Sequence, residues 1–177
     1  DSSWNDYTFV PGKSGGVGYE TTSGYEDFIS YNVGNANGNE TRYIRIHFHV
    51  NSEHLTQLTD MTLRVRYDDA FVAYMNGVEV ARSEYAPDSL GWNSGATDFF
   101  GDLPGMPFVD FDISAYISTL QIGDNVLAIH ALNCLTTSSD FLVSTELIGG
   151  TTNPLSADFD ENKSVNLNDL LWLASQW

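Results

Sequence analysis

The sequence predicts an all-β protein, a jelly-roll β-sandwich, with a short appendage after it. Three observations carry that expectation. Apolar and polar residues alternate at period two through several runs between residues 42 and 148. The pair Asn76-Gly77 separates two apolar runs, the strongest short-range signal for a tight hairpin. Helix signals over the same stretch are weak.

Taken in order, the first clear strand is Arg42 to Val50 (RYIRIHFHV). Ile44, Ile46, Phe48 and Val50 share one face, and Tyr43, Arg45, His47 and His49 share the other. Met61 to Tyr67 alternates in the same way, with Met61, Leu63, Val65 and Tyr67 on one side of Thr62, Arg64 and Arg66. The hairpin FVAYMNGVEVAR follows, and Tyr67, Phe71 and Tyr74 read as core residues because they lie on strands. Residues 83–107 are rich in Gly, Pro, Ser and Asp, and carry Trp92, Phe99 and Phe100. Loops of that length in a compact domain tend to be functional. Asp112 to Leu120 can hold a short helix capped by Ser114. Two last strands are Asn125 to Asn133, entered through Gly123-Asp124, and Phe141 to Ile148. The composition then changes at Gly149-Gly150, dividing the chain into a sandwich over residues 1–149, a linker over 150–156 and a tail over 157–177.

Composition narrows the function. The chain has 177 residues, with 7 Lys and Arg against 24 Asp and Glu, a formal charge of −17. With 42% hydrophobic and 13% aromatic residues it is long and apolar enough to bury a core. Seven cations scattered from Lys13 to Lys163 do not make a phosphate-binding patch, so nucleic acid and anionic membrane are poor partners. No apolar run approaches the ~20 residues that cross a bilayer. The opening Asp1-Ser2-Ser3-Trp4 is not the basic-then-apolar start of a signal peptide. A single cysteine, Cys134, excludes an internal disulfide framework and a Cys-rich zinc site. The acid load fits an extracellular or cell-surface protein.

The tail carries the most specific pattern. Twelve residues from Asp158 to Asp169 read DFDENKSVNLND, and oxygen-bearing residues stand where a calcium loop presents its ligands: Asp158, Asp160, Asn162, Ser164, Asn166 and Asp169. Ser164 would act through its backbone carbonyl and Asn166 through water. A helical stretch, Asp169 to Trp177, follows. The alternative is an acidic, solvated linker. On these residues the tail resembles the type I dockerin repeat, whose loop also ends in Asp. Lys163 stands where Gly usually makes the turn, and one repeat is present where dockerins carry two. The resemblance implies bound Ca2+ and a cohesin-like protein partner.

A second resemblance covers much of residues 16–148. YDDAFVAYMNGVEVARS, Tyr67 to Ser83, and GDNVLAIHALN, Gly123 to Asn133, resemble the hairpin and later strand of galactose-binding-like jelly rolls. GVGYE, from Gly16, and SSDFLVSTEL, from Ser138, are similar to segments of accessory modules in large secreted bacterial proteins. The resemblance implies a non-catalytic module that binds polysaccharide for a larger protein. Sugar binding needs flat aromatic faces and planar polar groups. The candidates on loops are Trp92, Tyr85, Tyr19 and Tyr25, with Trp4 near the start. Trp92, between Gly91 and Asn93, is either such a face or a plug that packs the loop onto the sandwich. Asp68-Asp69 is either a second calcium site or a turn in which the first Asp bonds the backbone and the second is solvated.

Two other functions compete. One is a structural or adhesive cell-surface domain with no sugar site, marked by burial of the same aromatics. The other is a metal-dependent enzyme: His47, His49 and Glu53 have the HxHxxxE spacing of cupins, with His130 as a fourth ligand, although the flanking glycines of that pattern are missing. No nucleophile elbow, phosphate loop or HExxH occurs, so the expectation is a protein that is not an enzyme.

Overall fold

The computed structural model describes residues 15–22, 24–34, 38–100 and 106–151. These form a sandwich of two sheets, as the alternation predicts. The strands are β1 (Gly16–Glu20), β2 (Ile29–Asn32), β3 (Thr41–Val50), β4 (Leu58–Asp68), β5 (Ala70–Met75), β6 (Val78–Arg82), β7 (Val109–Asp112), β8 (Gly123–Leu132) and β9 (Asp140–Thr151). One sheet has five strands in the order β2-β1-β9-β4-β7, and the other four in the order β3-β8-β5-β6. All pairings are antiparallel except β1 with β2.

The parity read from sequence decides which side chains meet. Met61, Leu63, Val65 and Tyr67 of β4 face Phe71, Ala73 and Met75 of β5 and Leu127, Ile129 and Ala131 of β8 across the core. Phe71 is at its centre, edge-on to Tyr67 (5.0 Å between ring centroids) and to Phe111 (5.1 Å). Asn76 and Gly77 turn the β5–β6 hairpin with φ of 50° and 87°, the left-handed pair that a two-residue turn requires. Asn76 also ties the turn down, donating from Nδ2 to Thr119 O and to Asn125 Oδ1 at 2.8 Å each.

Some expectations shift. The segment expected as a capped helix is a 3₁₀ helix, Ser114–Thr119, and Ser114 does not cap it. Asp112 Oδ1 instead accepts from both the amide (3.0 Å) and the hydroxyl (2.6 Å) of Ser114. Gly150 and Thr151, expected in the linker, continue β9 against Asp60 and Leu58 of β4. A short helix, α1 (Ser52–Gln57), was not foreseen; Asn51 caps it by accepting from the His54 amide at 2.7 Å. The remainder of the linker, the calcium loop from Asp158 to Asp169 and the helix after it lie outside the described residues, as does Trp4.

Candidate functional site

The outer face of the four-stranded sheet carries an open cleft. Its geometry follows from strand register. In β3 the outward row is Tyr43, Arg45, His47 and His49. Across the β3–β8 ladder, Tyr43 stands opposite His130 and Arg45 opposite Ala128. On the other side of β8, His130 stands opposite Val72 and Ala128 opposite Tyr74. Two tyrosines, an arginine and a histidine therefore surround the small Ala128, leaving a cleft of about 280 Å³ lined by Tyr43, Arg45, Tyr74, Ala128 and His130.

The long loop over residues 83–100 walls off one end of this face. Its Ala86, Leu90, Ala96 and Tyr85 pack on Ala70, Val72 and Leu132, with Tyr74 on the same cluster. β3, with Glu40 just before it and Asn133 just after β8, holds the loop mainly through the loop's backbone. The Tyr43 hydroxyl donates to Trp92 O (2.8 Å), the Thr41 hydroxyl to Ser94 O (2.9 Å), and the Ala96 amide to Asn133 O (3.0 Å). The Glu40 amide donates to Asn93 Oδ1 at 3.0 Å. Trp92 is consequently fixed at the rim of the cleft while its side chain remains 77% exposed.

Inside the cleft the His130 ring stacks on Tyr43 with centroids 4.5 Å apart. Its Nε2 lies 3.1 Å from Thr41 Oγ1. Burial, and then the charge of Arg82, hold the imidazole below its ordinary pKa, so it is neutral at neutral pH. Burial pushes the Tyr74 phenol up, with Glu79 adding to the effect. Arg82 itself is anchored, donating to both Glu79 carboxylate oxygens at 2.9 Å and to Pro87 O.

The aromatic candidates therefore separate. Trp92 is presented to solvent and Tyr85 is half-buried as a packing residue of the loop, 6.5 Å from Phe100. Tyr19 and Tyr25 are corrected: they are 2% and 3% exposed, in the main core and in a cluster with Met106 and Leu142 respectively, and offer no face to a sugar. Tyr67 and Phe71 are core, as their strand positions suggest, but Tyr74 is not, because it points outward from β5. Tyr43, Arg45 and His130 were also missed as a group. The alternation of β3 already puts Tyr43 and Arg45 outward; the partnership with Tyr74 and His130 depends on strand order.

Asp68 and Asp69 are buried. Asp69 works as a backbone staple, accepting the Phe100 amide at Oδ1 (3.0 Å) and the Cys134 amide at Oδ2 (2.7 Å). The turn alternative is thus altered in its detail, because it is the second aspartate that bonds the backbone and it is buried, not solvated. No group of three or more His, Cys, Asp and Glu is placed to hold a metal among the described residues. The cupin-like reading also fails on position. His47 and His49 lie on the exposed row of β3, Glu53 is an exposed residue of α1, and His49 pairs with Asp124 at 3.1 Å. His47 stands opposite Val126, four residues along β8 from His130, or about 13 Å at strand rise.

No protein-family model matches the chain, and no curated protein matches it. Among solved structures it is similar to part of a β-D-mannosidase from Dictyoglomus thermophilum (18% identity, TM-score 0.34, covering 53% of this chain and 9% of that one). It is also similar to part of a native α-L-rhamnosidase from Aspergillus terreus (11% identity, TM-score 0.41, 65% and 13%). A third is the Streptomyces avermitilis α-L-rhamnosidase solved with L-rhamnose (20% identity, TM-score 0.40, 74% and 13%). The chain thus spans 9% to 13% of the length of these three proteins. What the cleft binds is a matter for its own side chains.

Proposed function

We propose that the sandwich is a non-catalytic carbohydrate-binding module, and that it holds a polysaccharide in the cleft on the outer face of its four-stranded sheet. The observation that supports this most is the conjunction of Tyr43, Tyr74, Arg45 and His130 around one concavity with an exposed Trp92 at its rim. Pyranose rings present C–H faces that pack on aromatic rings, and their hydroxyls need planar donors and acceptors of this kind. The mechanism is passive. Stacking and hydrogen bonds keep a chain close, raising its concentration for an attached domain of a larger protein.

The rest of the proposal rests on the sequence resemblances: an extracellular or cell-surface protein, with Ca2+ held by Asp158, Asp160, Asn162, Ser164, Asn166 and Asp169, and a cohesin-like partner for the tail. No described helix is long and apolar enough to cross a membrane. Calorimetric titration with plant and algal polysaccharides, with calcium and again after EDTA, tests the reading. Saturable binding that is weakened about tenfold or more in Tyr43→Ala and Trp92→Ala is the expected result. No binding to any polysaccharide overturns it in favour of a structural or adhesive domain, and a melting temperature that falls in EDTA then leaves calcium as a stabiliser only.

A further inference from the structure

We infer that His130 sets the specificity of the cleft: its Nδ1 accepts a hydrogen bond from a sugar hydroxyl, so that the site takes a neutral glycan and not a polyanion. The inference rests on the sugar-binding reading above and adds the charge class of the ligand and the atom that recognises it.

A single hydrogen fixes the tautomer of the ring. The Thr41 hydroxyl lies 2.9 Å from Ser94 O, which can only accept, and 3.1 Å from His130 Nε2. A hydroxyl has a single hydrogen to give. Both contacts hold together in one arrangement, with Thr41 donating to Ser94 and Nε2–H donating to Thr41. In a neutral imidazole Nδ1 then carries no hydrogen and is an acceptor. His130 makes no other hydrogen bond. The buried polar atoms without a partner among the described residues are Arg66 Nε, Asn133 Oδ1 and Thr151 Oγ1. Nδ1 is not one of them, so it keeps some accessible surface, on a residue that lines the cleft.

The surroundings fit a hydroxyl donor. Around the imidazole stand Tyr43 and Arg45 from β3, Tyr74 from β5, Glu79 and Arg82 from β6, and Asp88 in the loop beyond, which acts on Arg82. Arg82 and Glu79 form a bidentate pair, which largely cancels their charges. Burial and Arg82 keep the ring neutral. A carboxylate or sulfate ester standing at Nδ1 in place of a hydroxyl has no hydrogen to offer it, and a polyanion bound through its remaining hydroxyls must still approach a chain with a formal charge of −17. A neutral sugar can donate to Nδ1 while its C–H face lies on the Tyr43 ring.

The test uses the full chain, labelled with ¹⁵N. Imidazole nitrogen shifts are read before and after addition of hexasaccharides of β-1,4-glucan, β-1,4-xylan, β-1,4-mannan and α-1,4-galacturonan. Affinities are measured in parallel from about pH 7.5 downward, through the point at which the nitrogen shifts show the ring taking up its second proton. The expected result is a ligand-free ring with hydrogen on Nε2 and a bare Nδ1, whose shift moves when a neutral hexasaccharide binds. Affinity for that sugar falls toward acid, and His130→Phe, which keeps the stacking ring, binds it about five- to tenfold more weakly. The tautomer and pH measurements need only the wild-type protein, so misfolding of the variant does not remove the test. Hydrogen on Nδ1 in the free protein, a neutral sugar bound with Nδ1 unmoved, or galacturonan bound preferentially and more tightly toward acid overturns the inference and leaves sugar binding intact. Failure of all four sugars to bind overturns both.

Discussion

The two sheets of this sandwich have very different outer faces, although both begin from the same alternation. On the five-stranded sheet the outward row of β4 and β9 is covered. Leu142 is buried with Tyr25 and Met106, and Phe28 and Ile29 pack on that cluster. Arg66 lies between the rings of Phe28 (4.2 Å) and Phe108 (4.3 Å), and Arg64 bonds Asp110 and Glu146 at 2.9 Å each. Burial lowers the Arg66 pKa, and hydrogen bonding to Asp110 raises that of Arg64, so each guanidinium is integrated into the covering layer. On the four-stranded sheet the described residues cover one end, with the 83–100 loop, and two tyrosines remain outward beside a cleft. The difference is what each crossing segment brings. Residues 25–29 and 106–108 bring Tyr25, Phe28, Met106 and Phe108 across their sheet, whereas the 83–100 loop packs Tyr85, Ala86, Leu90 and Ala96 on one end of its own and leaves Trp92 outside. Polar-out alternation therefore specifies a face but not whether something covers it.

Substitutions can break or sharpen this contrast. The largest effect belongs to the closed face. Leu142→Ala opens a cavity in a fully buried site and should cost about 4 kcal/mol in chemical denaturation. A cost below about 1 kcal/mol would mean that the covering layer is loose. Next comes the staple that closes one end of the open face. Asp69→Ala leaves the Phe100 and Cys134 amides without their acceptor and should cost about 3 kcal/mol. Hydrogen exchange should rise at residues 100 and 134 before it rises in β8. On the open face the effects move from stability to binding. Trp92→Ala should leave the unfolding free energy within about 0.5 kcal/mol of wild type while weakening polysaccharide binding about tenfold. A large loss of stability would instead make Trp92 a plug, and with it the open face a covered one.

The smallest effect is pH-dependent. His130 is held below its ordinary pKa of 6.5, so the unfolded chain takes up a proton that the folded ring resists. The neutral ring's contribution is fully present above that value and declines as pH falls from about 6.5 toward the depressed folded value. The difference in melting temperature between wild type and His130→Phe should therefore narrow over that acid window. A difference that widens toward acid would require a folded pKa that is raised.

Most of the sandwich was legible because β3, β4, β5, β6, β8 and β9 each carry enough alternating residues to declare a face. The strands that escaped lack such a run. Two of the five residues of β1 are glycines, chosen for space: a Cβ on Gly16 would strike the Phe28 carbonyl, and one on Gly18 the Phe141 carbonyl. β7 has four residues, two of them aspartates, and α1 has no buried residue to mark its period. The cleft was only half legible. Parity gives Tyr43 and Arg45 an outward direction, but nothing local to FVAYM distinguishes a tyrosine on an open face from one in the core. His130 becomes a neighbour of Tyr43 only through the β3–β8 register. Tyr19 misled for the opposite reason, since a tyrosine in the glycine-rich run GVGYE looks like a loop residue until β9 is seen beside it.

The way β3 grips the loop has a consequence for variation. The bonds at positions 92, 94 and 96 engage carbonyls and an amide of the main chain, which every amino acid except proline can supply at such sites. Side chains matter to the hold at Asn93, through Glu40, and at Ser94, whose hydroxyl accepts the Gly91 amide at 2.7 Å. Position 92 is therefore a fixed mount with an interchangeable fitting. Descendants of this chain, or a library built on it, can exchange the indole for another group and retarget the rim without re-engineering the frame beneath.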